Sequence, residues 1–209
     1  MKIILDKVCK KYGSNIIFNN FDLEIKENDF IAIYGNSGVG KTTLLNMISY
    51  IENINAGTIK YLDDTNKIIS KRTIKNKYIS YLSQDGFLLL DQSIYYNLNL
   101  ALLDKKLSVV EKKELMNKYL KDVNLEIDLN VLVNTLSAGM QIRVALVRAL
   151  MRESPFIICD EPTGNLDKNN CQLIISLLKK LNENDKTIII ATHDEDIKDI
   201  AKTIINLVK

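Results

Sequence analysis

Apolar Phe21, Leu23 and Ile25 alternate with Asp22 and Glu24, the period of a strand with one buried face. The opening KIILDKVCKKY and the later FNNFDLEIKENDF therefore predict short strands over residues 1–30. The next four residues, Ile31, Ala32, Ile33 and Tyr34, are apolar or aromatic without interruption and predict a more deeply buried strand. Similar runs predict strands at 58–62, 78–82, 156–159 and 187–191. The polar stretch 63–76 reads as loops with a short turn of helix.

Helical spacing takes over elsewhere. Residues 108–123 open on a capping box, Ser108-x-x-Glu111, and place Val110, Leu115, Tyr119 and Val123 close to one face. Lys112, Lys113, Lys118 and Lys121 alternate with Glu111 and Glu114 as a solvated face. A second helix over 139–152 carries Val144, Leu146, Val147 and Leu150, and a third carries Leu173, Ile174, Leu177, Leu178 and Leu181. Strands alternating with helices imply an α/β fold, with a parallel sheet and helices on its faces.

Composition narrows the reading. A chain of 209 residues, 46% hydrophobic, suits one domain, or one core with a subdomain. A net charge of +2, from 28 basic and 26 acidic residues, argues against a nucleic-acid surface. Cys9, Cys159 and Cys171 have no metal-ligand spacing and read as buried, reduced thiols of a cytosolic protein. The longest apolar runs, TIIIA at 187–191 and FIIC at 156–159, are far below the roughly 18 residues of a membrane span. The N-terminal apolar stretch is too short for a signal peptide and reads as a strand.

The candidate chemistry begins where the apolar run 31–34 ends. Of only eight glycines, three (Gly35, Gly38 and Gly40) fall within six positions, just ahead of Lys41. Glycine loses more backbone entropy on folding than any other residue, so something must require bare backbone here. The spacing Gly35-x-x-x-x-Gly40-Lys41-Thr42, between a strand and a helix, is the P-loop pattern for a nucleoside triphosphate. Successive N–H groups across Gly35, Asn36, Ser37, Gly38, Val39 and Gly40 form an anion nest, reinforced by the start of the helix. Lys41 reaches the β- and γ-phosphates, the Thr42 hydroxyl ligates Mg²⁺, and Thr43 continues the motif.

Three further stretches carry polar groups at strand or helix ends. FIICDE ends an apolar strand on Asp160, placed to hold the Mg²⁺ shell opposite Thr42, and on Glu161, a candidate general base. The only histidine, His193, follows the strand ending at Ala191, where ligands gather in open parallel sheets. Gln84 ends another strand in a similar position. TLSAGM puts Ser137 and Gly139 ahead of a helix; a second anion site and an ordinary serine cap both fit these residues.

Taken in order, these stretches resemble the ATP-binding subunit of an ATP-binding cassette (ABC) transporter over essentially the whole chain. GNSGVGKT (35–42) matches Walker A, Gln84 the Q-loop, LSAGM (136–140) the signature, FIICD with Glu161 Walker B, Gly164-Asn165-Leu166-Asp167 the D-loop, and His193 the switch histidine. Tyr12 matches the aromatic residue that stacks on adenine. The resemblance implies a P-loop NTPase core with a mostly parallel sheet, an N-terminal antiparallel β subdomain, and a helical subdomain at roughly 86–152, all one ABC ATPase domain. It also implies a head-to-tail dimer, with a second copy or a paralogous subunit, around ATP and Mg²⁺. Ser137 and Gly139 would face the partner's γ-phosphate, and Asp167 the partner near its P-loop. Gln84 would join the metal and the catalytic groups, His193 would hold the γ-phosphate and attacking water, and residues 85–97 would touch an integral-membrane permease. The subunit would be cytoplasmic and peripheral on the inner face of the membrane.

EPTGNLD (161–167) looks like the macrolide, lipoprotein-release, cell-division and antimicrobial-peptide branch, and YYNLNLAL (95–102) is similar to lactococcin-type bacteriocin exporters. The signature departs from the usual LSGGQ or LSGGE at Ala138 and Met140. Those departures keep open a rival role as a low-turnover, nucleotide-gated switch or scaffold on a membrane partner. Glu161 and His193 favour a working ATPase. A GTPase is disfavoured because no Asn-Lys pair has an aspartate two residues on.

Overall fold

The structure, a computed structural model, describes residues 1–83 and 86–208; Gln84 lies outside them. The alternating N-terminal segment forms two long strands, β1 (Lys2–Tyr12) and β2 (Asn15–Lys26), rather than several short ones. β1 is the centre of a three-stranded antiparallel sheet, between β2 and β4 (Ala56–Leu62). Its register sets Ile3 opposite Ile25 and Leu5 opposite both Leu23 and Ile59.

The buried runs form a second, parallel sheet. Its order is β5 (Ile79–Leu82), β6 (Phe156–Asp160), β7 (Thr187–Thr192), β3 (Phe30–Tyr34) and β8 (Thr203–Asn206). Successive side chains on a strand face opposite ways, and here both faces are covered. Ile31, Ile33, Phe156, Ile158 and Ile189 pack with the antiparallel sheet and with Leu44, Leu45, Met47 and Ile48 of α1 (Lys41–Ile48). Phe30, Ala32, Ile157, Cys159, Ile188 and Ile190 join the opposite cluster with the remaining long helices.

Those helices follow in chain order. After α2 (Lys71–Thr73) and the π-helical turn Ile74–Tyr78 come α3 (Ile94–Asn99), α4 (Val109–Asp122) and α5 (Ala138–Leu150), all between β5 and β6. Then α6 (Lys168–Glu183) links β6 to β7, and α7 (Glu195–Ile200) links β7 to β8. The capping box of α4 is complete: Glu111 N donates to Ser108 Oγ at 3.3 Å, and Ser108 N donates to Glu111 Oε2 at 2.7 Å. Val110, however, is 66% exposed, because the buried face of α4 runs through Met116 and Leu120 to Val123. Only Cys159 of the three free cysteines is buried, since it alone lies inside the parallel sheet; Cys9 and Cys171 are half-buried. Among the described residues no helix is long and apolar enough to cross a membrane.

Candidate functional site

Strand register assembles the site. β3 pairs with β7 so that Tyr34 meets Thr192, and β6 pairs with β7 so that Asp160 meets Ala191. The carboxyl ends of all three strands are therefore level, and the segments after them share one edge of the sheet. A cleft of about 370 Å³ opens there, walled by Ser37, Gly38, Gly40, Lys41, Thr42, Thr43, Glu161 and His193, with Ile17 and Gly164 at its sides.

Gly40 is the residue that lets the loop enter α1. Its φ is +113°, and a Cβ there would lie 2.6 Å from Ile17 Cγ2, so both conformation and space demand glycine. No side chain caps α1, and no acid occupies its first turn. Its first N–H groups and the positive end of its dipole are left for an anion. Gly35 and Asn36 contribute carbonyls, which accept from Lys41 Nζ at 2.8 and 3.3 Å. Val39 N donates to Asn36 O at 3.4 Å, closing the turn.

The polar groups interlock. Lys41 Nζ lies 3.0 Å from Glu161 Oε1, with the two side chains only 7% and 17% exposed. Glu161 sits at φ +48°, a left-handed backbone that costs a non-glycine residue about 1–3 kcal/mol, and its N–H donates to Ala191 O at 2.9 Å. This turn aims the carboxylate back over the cleft. His193 Nδ1 comes within 2.7 Å of Glu161 Oε2, and that oxygen is buried with no hydrogen bond among the described residues. Thr42 Oγ1 donates to Asp160 Oδ1 at 3.1 Å.

Burial pushes the Asp160 carboxyl above its usual range; the Thr42 bond opposes, and the charge of Glu161 adds to the rise. A half-buried carboxylate facing a hydroxyl is a set of hard oxygen donors whose charge is under-compensated, which fits Mg²⁺. Among the described residues no cluster of three acidic, His or Cys side chains exists to hold a metal by itself. A Mg²⁺ ion here would have to draw its remaining ligands from outside these side chains, as Mg²⁺ commonly does with phosphate and water.

Tyr12, at the end of β1, is 48% exposed. Its hydroxyl donates to Glu52, and Lys10 Nζ stands 4.7 Å from its ring centre. Lys10 is itself fixed by Glu52 Oε1 at 2.7 Å and Asn53 O at 2.8 Å. Desolvation first, then the Glu52 bond, hold the phenol above its ordinary value, and the Thr43 hydroxyl opposes. The Lys10–Glu52 support has no local sequence signal, since the partners are far apart in the chain.

Ser137 and Gly139 stand apart from the cleft. Ser137 caps α5, its Oγ accepting from Met140 N at 3.4 Å, so the serine-cap geometry is realised. Ser137 and Ala138 are exposed, Gly139 is buried, and Met140 packs partly against the helical cluster. Ala138 walls a separate cleft of about 460 Å³, with Phe87, Leu90, Gln141, Pro162 and Leu166. Chain order did not reveal two links: the Tyr34 hydroxyl donates to Glu195, and Thr163 Oγ1 donates to Asp194 Oδ2 at 3.1 Å.

Fold and cleft together define a nucleotide-binding α/β protein of the P-loop class. The chain belongs to the ABC transporter family, whose description matches residues 18–164. It is 35% identical to the macrolide export ATP-binding/permease protein MacB of Campylobacter jejuni over 98% of its own length, and spans 32% of that protein's length. It is 36% identical to the lipoprotein-releasing system ATP-binding protein LolD of Buchnera aphidicola, covering 84% of this chain and 79% of LolD. The dimeric structure of the cassette MJ0796, from Methanocaldococcus jannaschii, superposes with a TM-score of 0.86 at 35% identity, covering 98% of this chain and 94% of the other. A second dimeric structure of MJ0796, in a post-hydrolysis state with ADP and Pi, superposes equally well at 34% identity.

Proposed function

We propose that this chain is the ATP-binding and ATP-hydrolysing subunit of an ABC transporter. It is a single ATPase domain whose helical subdomain spans roughly residues 86–152 between β5 and β6. The observation that carries the reading is the convergence of Lys41, Thr42, Asp160, Glu161 and His193 on one cleft at the carboxyl edge of the parallel sheet.

Lys41 and the open amides of the loop bind the β- and γ-phosphates, and Tyr12 offers its ring to the adenine. Thr42 and Asp160 would hold Mg²⁺, which would neutralise charge on the phosphate oxygens. Glu161 takes a proton from water as the water oxygen attacks the γ-phosphorus. The bond to the bridging oxygen breaks, leaving ADP and inorganic phosphate. His193 orients the γ-phosphate. Positioning and electrostatics supply most of the acceleration in such transfers.

Two subunits close head to tail, each offering Ser137 and the Gly139 backbone to the other's γ-phosphate, as the dimeric relatives support. An integral-membrane permease docks against residues 85–97 and holds the subunit on the inner face of the membrane; the ATP-binding/permease relative supports that pairing. The cargo is an exported peptide or lipophilic molecule, in keeping with the macrolide-export and lipoprotein-release names of two relatives. Glu161→Gln tests the chemistry. Turnover should fall by roughly 10²–10⁴ while ATP still binds, the usual range for general base catalysis. Turnover at the parent rate would remove Glu161 from the role, and negligible parent turnover with or without a copurified permease would favour the nucleotide-gated switch.

A further inference from the structure

Gly139 lacks a side chain for a reason inside its own chain. A Cβ built on it would lie 2.5 Å from both Cγ and Oδ1 of Asn170 and 2.9 Å from Nδ2. Asn170 is bonded within its own turn. Its Nδ2 donates to Asp167 Oδ2 at 2.6 Å, and its backbone N donates to Asp167 Oδ1 at 2.9 Å, the cap of α6. On the other side, the Gly139 carbonyl accepts from Arg143 Nε at 3.0 Å, and Arg143 NH1 reaches Asn124 O at 2.7 Å. The start of α5 thus lies against the Asn170 side chain at the turn that opens α6, and is bonded through Arg143 to the segment after α4.

We propose that Asn170 is a positioning residue that ties the signature turn (136–140) to the turn carrying Asp167, making them one partner-facing unit. The inference rests on the head-to-tail dimer proposed above. Ser137, the Gly139 backbone and Asp167 all meet the partner chain in that dimer. A tie between them makes the phosphate-facing and loop-facing contacts arrive together, with their spacing set before closure. Preorganisation of this kind matters because a displacement near 1 Å can cost about a hundredfold in rate. The glycine at 139 is then required by Asn170 whatever the partner's phosphate requires.

The test is a double-mutant cycle, with ATP-dependent dimerisation measured by light scattering. It is run in a Glu161→Gln background, where hydrolysis does not dissolve the dimer. Gly139→Ala should weaken the dimer strongly. Adding Asn170→Ala removes the atoms the new methyl meets, and should restore dimerisation by about twofold to a hundredfold, the span of coupling between touching residues. Asn170→Ala alone should leave monomer ATP affinity unchanged and weaken the dimer, a readout that a purely structural residue would not separate. A double variant no better than Gly139→Ala would overturn the tie and assign the glycine to the partner's phosphate. An Asn170→Ala dimer as tight as the parent's would overturn it too. A Glu161→Gln parent that stays monomeric in ATP would overturn the dimer itself, and with it the role of the tie.

Discussion

The phosphate cleft and the signature turn belong to the same chain yet differ in how complete they are. In the cleft, three level strand ends bring Lys41, Thr42, Asp160, Glu161 and His193 together, with Lys41 and Glu161 nearly buried and paired. At the signature turn, Ser137 is exposed and caps only its own helix, and nothing from the cleft reaches it. The cleft is positioned by the rigid core of the sheet. The signature turn is positioned by helix ends, through side-chain ties such as Asn170. Changes in the cleft should therefore act on nucleotide binding in the monomer, and changes at the turn on assembly.

The sharpest way to break that contrast is Lys41→Ala. Hydrogen bonds to charged groups contribute about 1.5–3 kcal/mol each, so ATP affinity of the monomer should fall by roughly ten- to hundredfold. The same change strips Glu161 of its close cationic partner, and the melting temperature without nucleotide should fall as well. Unchanged affinity in a calorimetric titration would mean the cleft does not bind through its lysine.

Asp160→Asn should produce a smaller effect of opposite sign on stability. The folded pKa of Asp160 is raised, chiefly by burial, so its charged form at neutral pH works against the folded state. That penalty is absent well below the unfolded pKa and complete above the folded one, so it grows as pH rises between them. Removing the charge should raise the melting temperature at pH 7. The gain should fade in acid. Mg²⁺-dependent tightening of ATP binding should disappear in the variant. A variant no more stable than the parent at pH 7 would show that the Thr42 and Lys41 contacts already compensate the carboxylate.

The two regions were also unequally legible. A P-loop is readable because its glycines, lysine and threonine are contiguous; alternation marks β2, and uninterrupted apolar runs mark β3, β6 and β7. β8 and α7 were not recognised. β8 is an edge strand whose Ile204 faces outward at 41% exposure, so its apolar residues mark no single face. α7 is only six residues long, too short to show a period. Val110 misled because it has the right spacing but falls in the exposed first turn of α4. The Asn170–Gly139 and Lys10–Glu52 contacts join residues distant in the chain, and only the folded structure shows them.

Ala138→Gly should have the smallest effect and is the finest probe of the comparison. By the resemblance, the alanine methyl falls where the family's backbone approaches a phosphate, which predicts that glycine would raise, or at least not lower, turnover in the dimer. The structure supplies a second environment: Ala138 is the first residue of α5, and it walls the cleft shared with Phe87, Leu90 and Pro162 of its own chain. In a helix, Ala→Gly costs up to about 1 kcal/mol, and less at an exposed end. We expect a small drop in melting temperature, unchanged ATP affinity in the monomer, and dimer turnover within about twofold of the parent, the scale of a few tenths of a kcal/mol. A severalfold rise in turnover at unchanged stability would instead show that the methyl reaches the partner's phosphate. The signature turn would then be constrained as tightly across the interface as the cleft is within the chain.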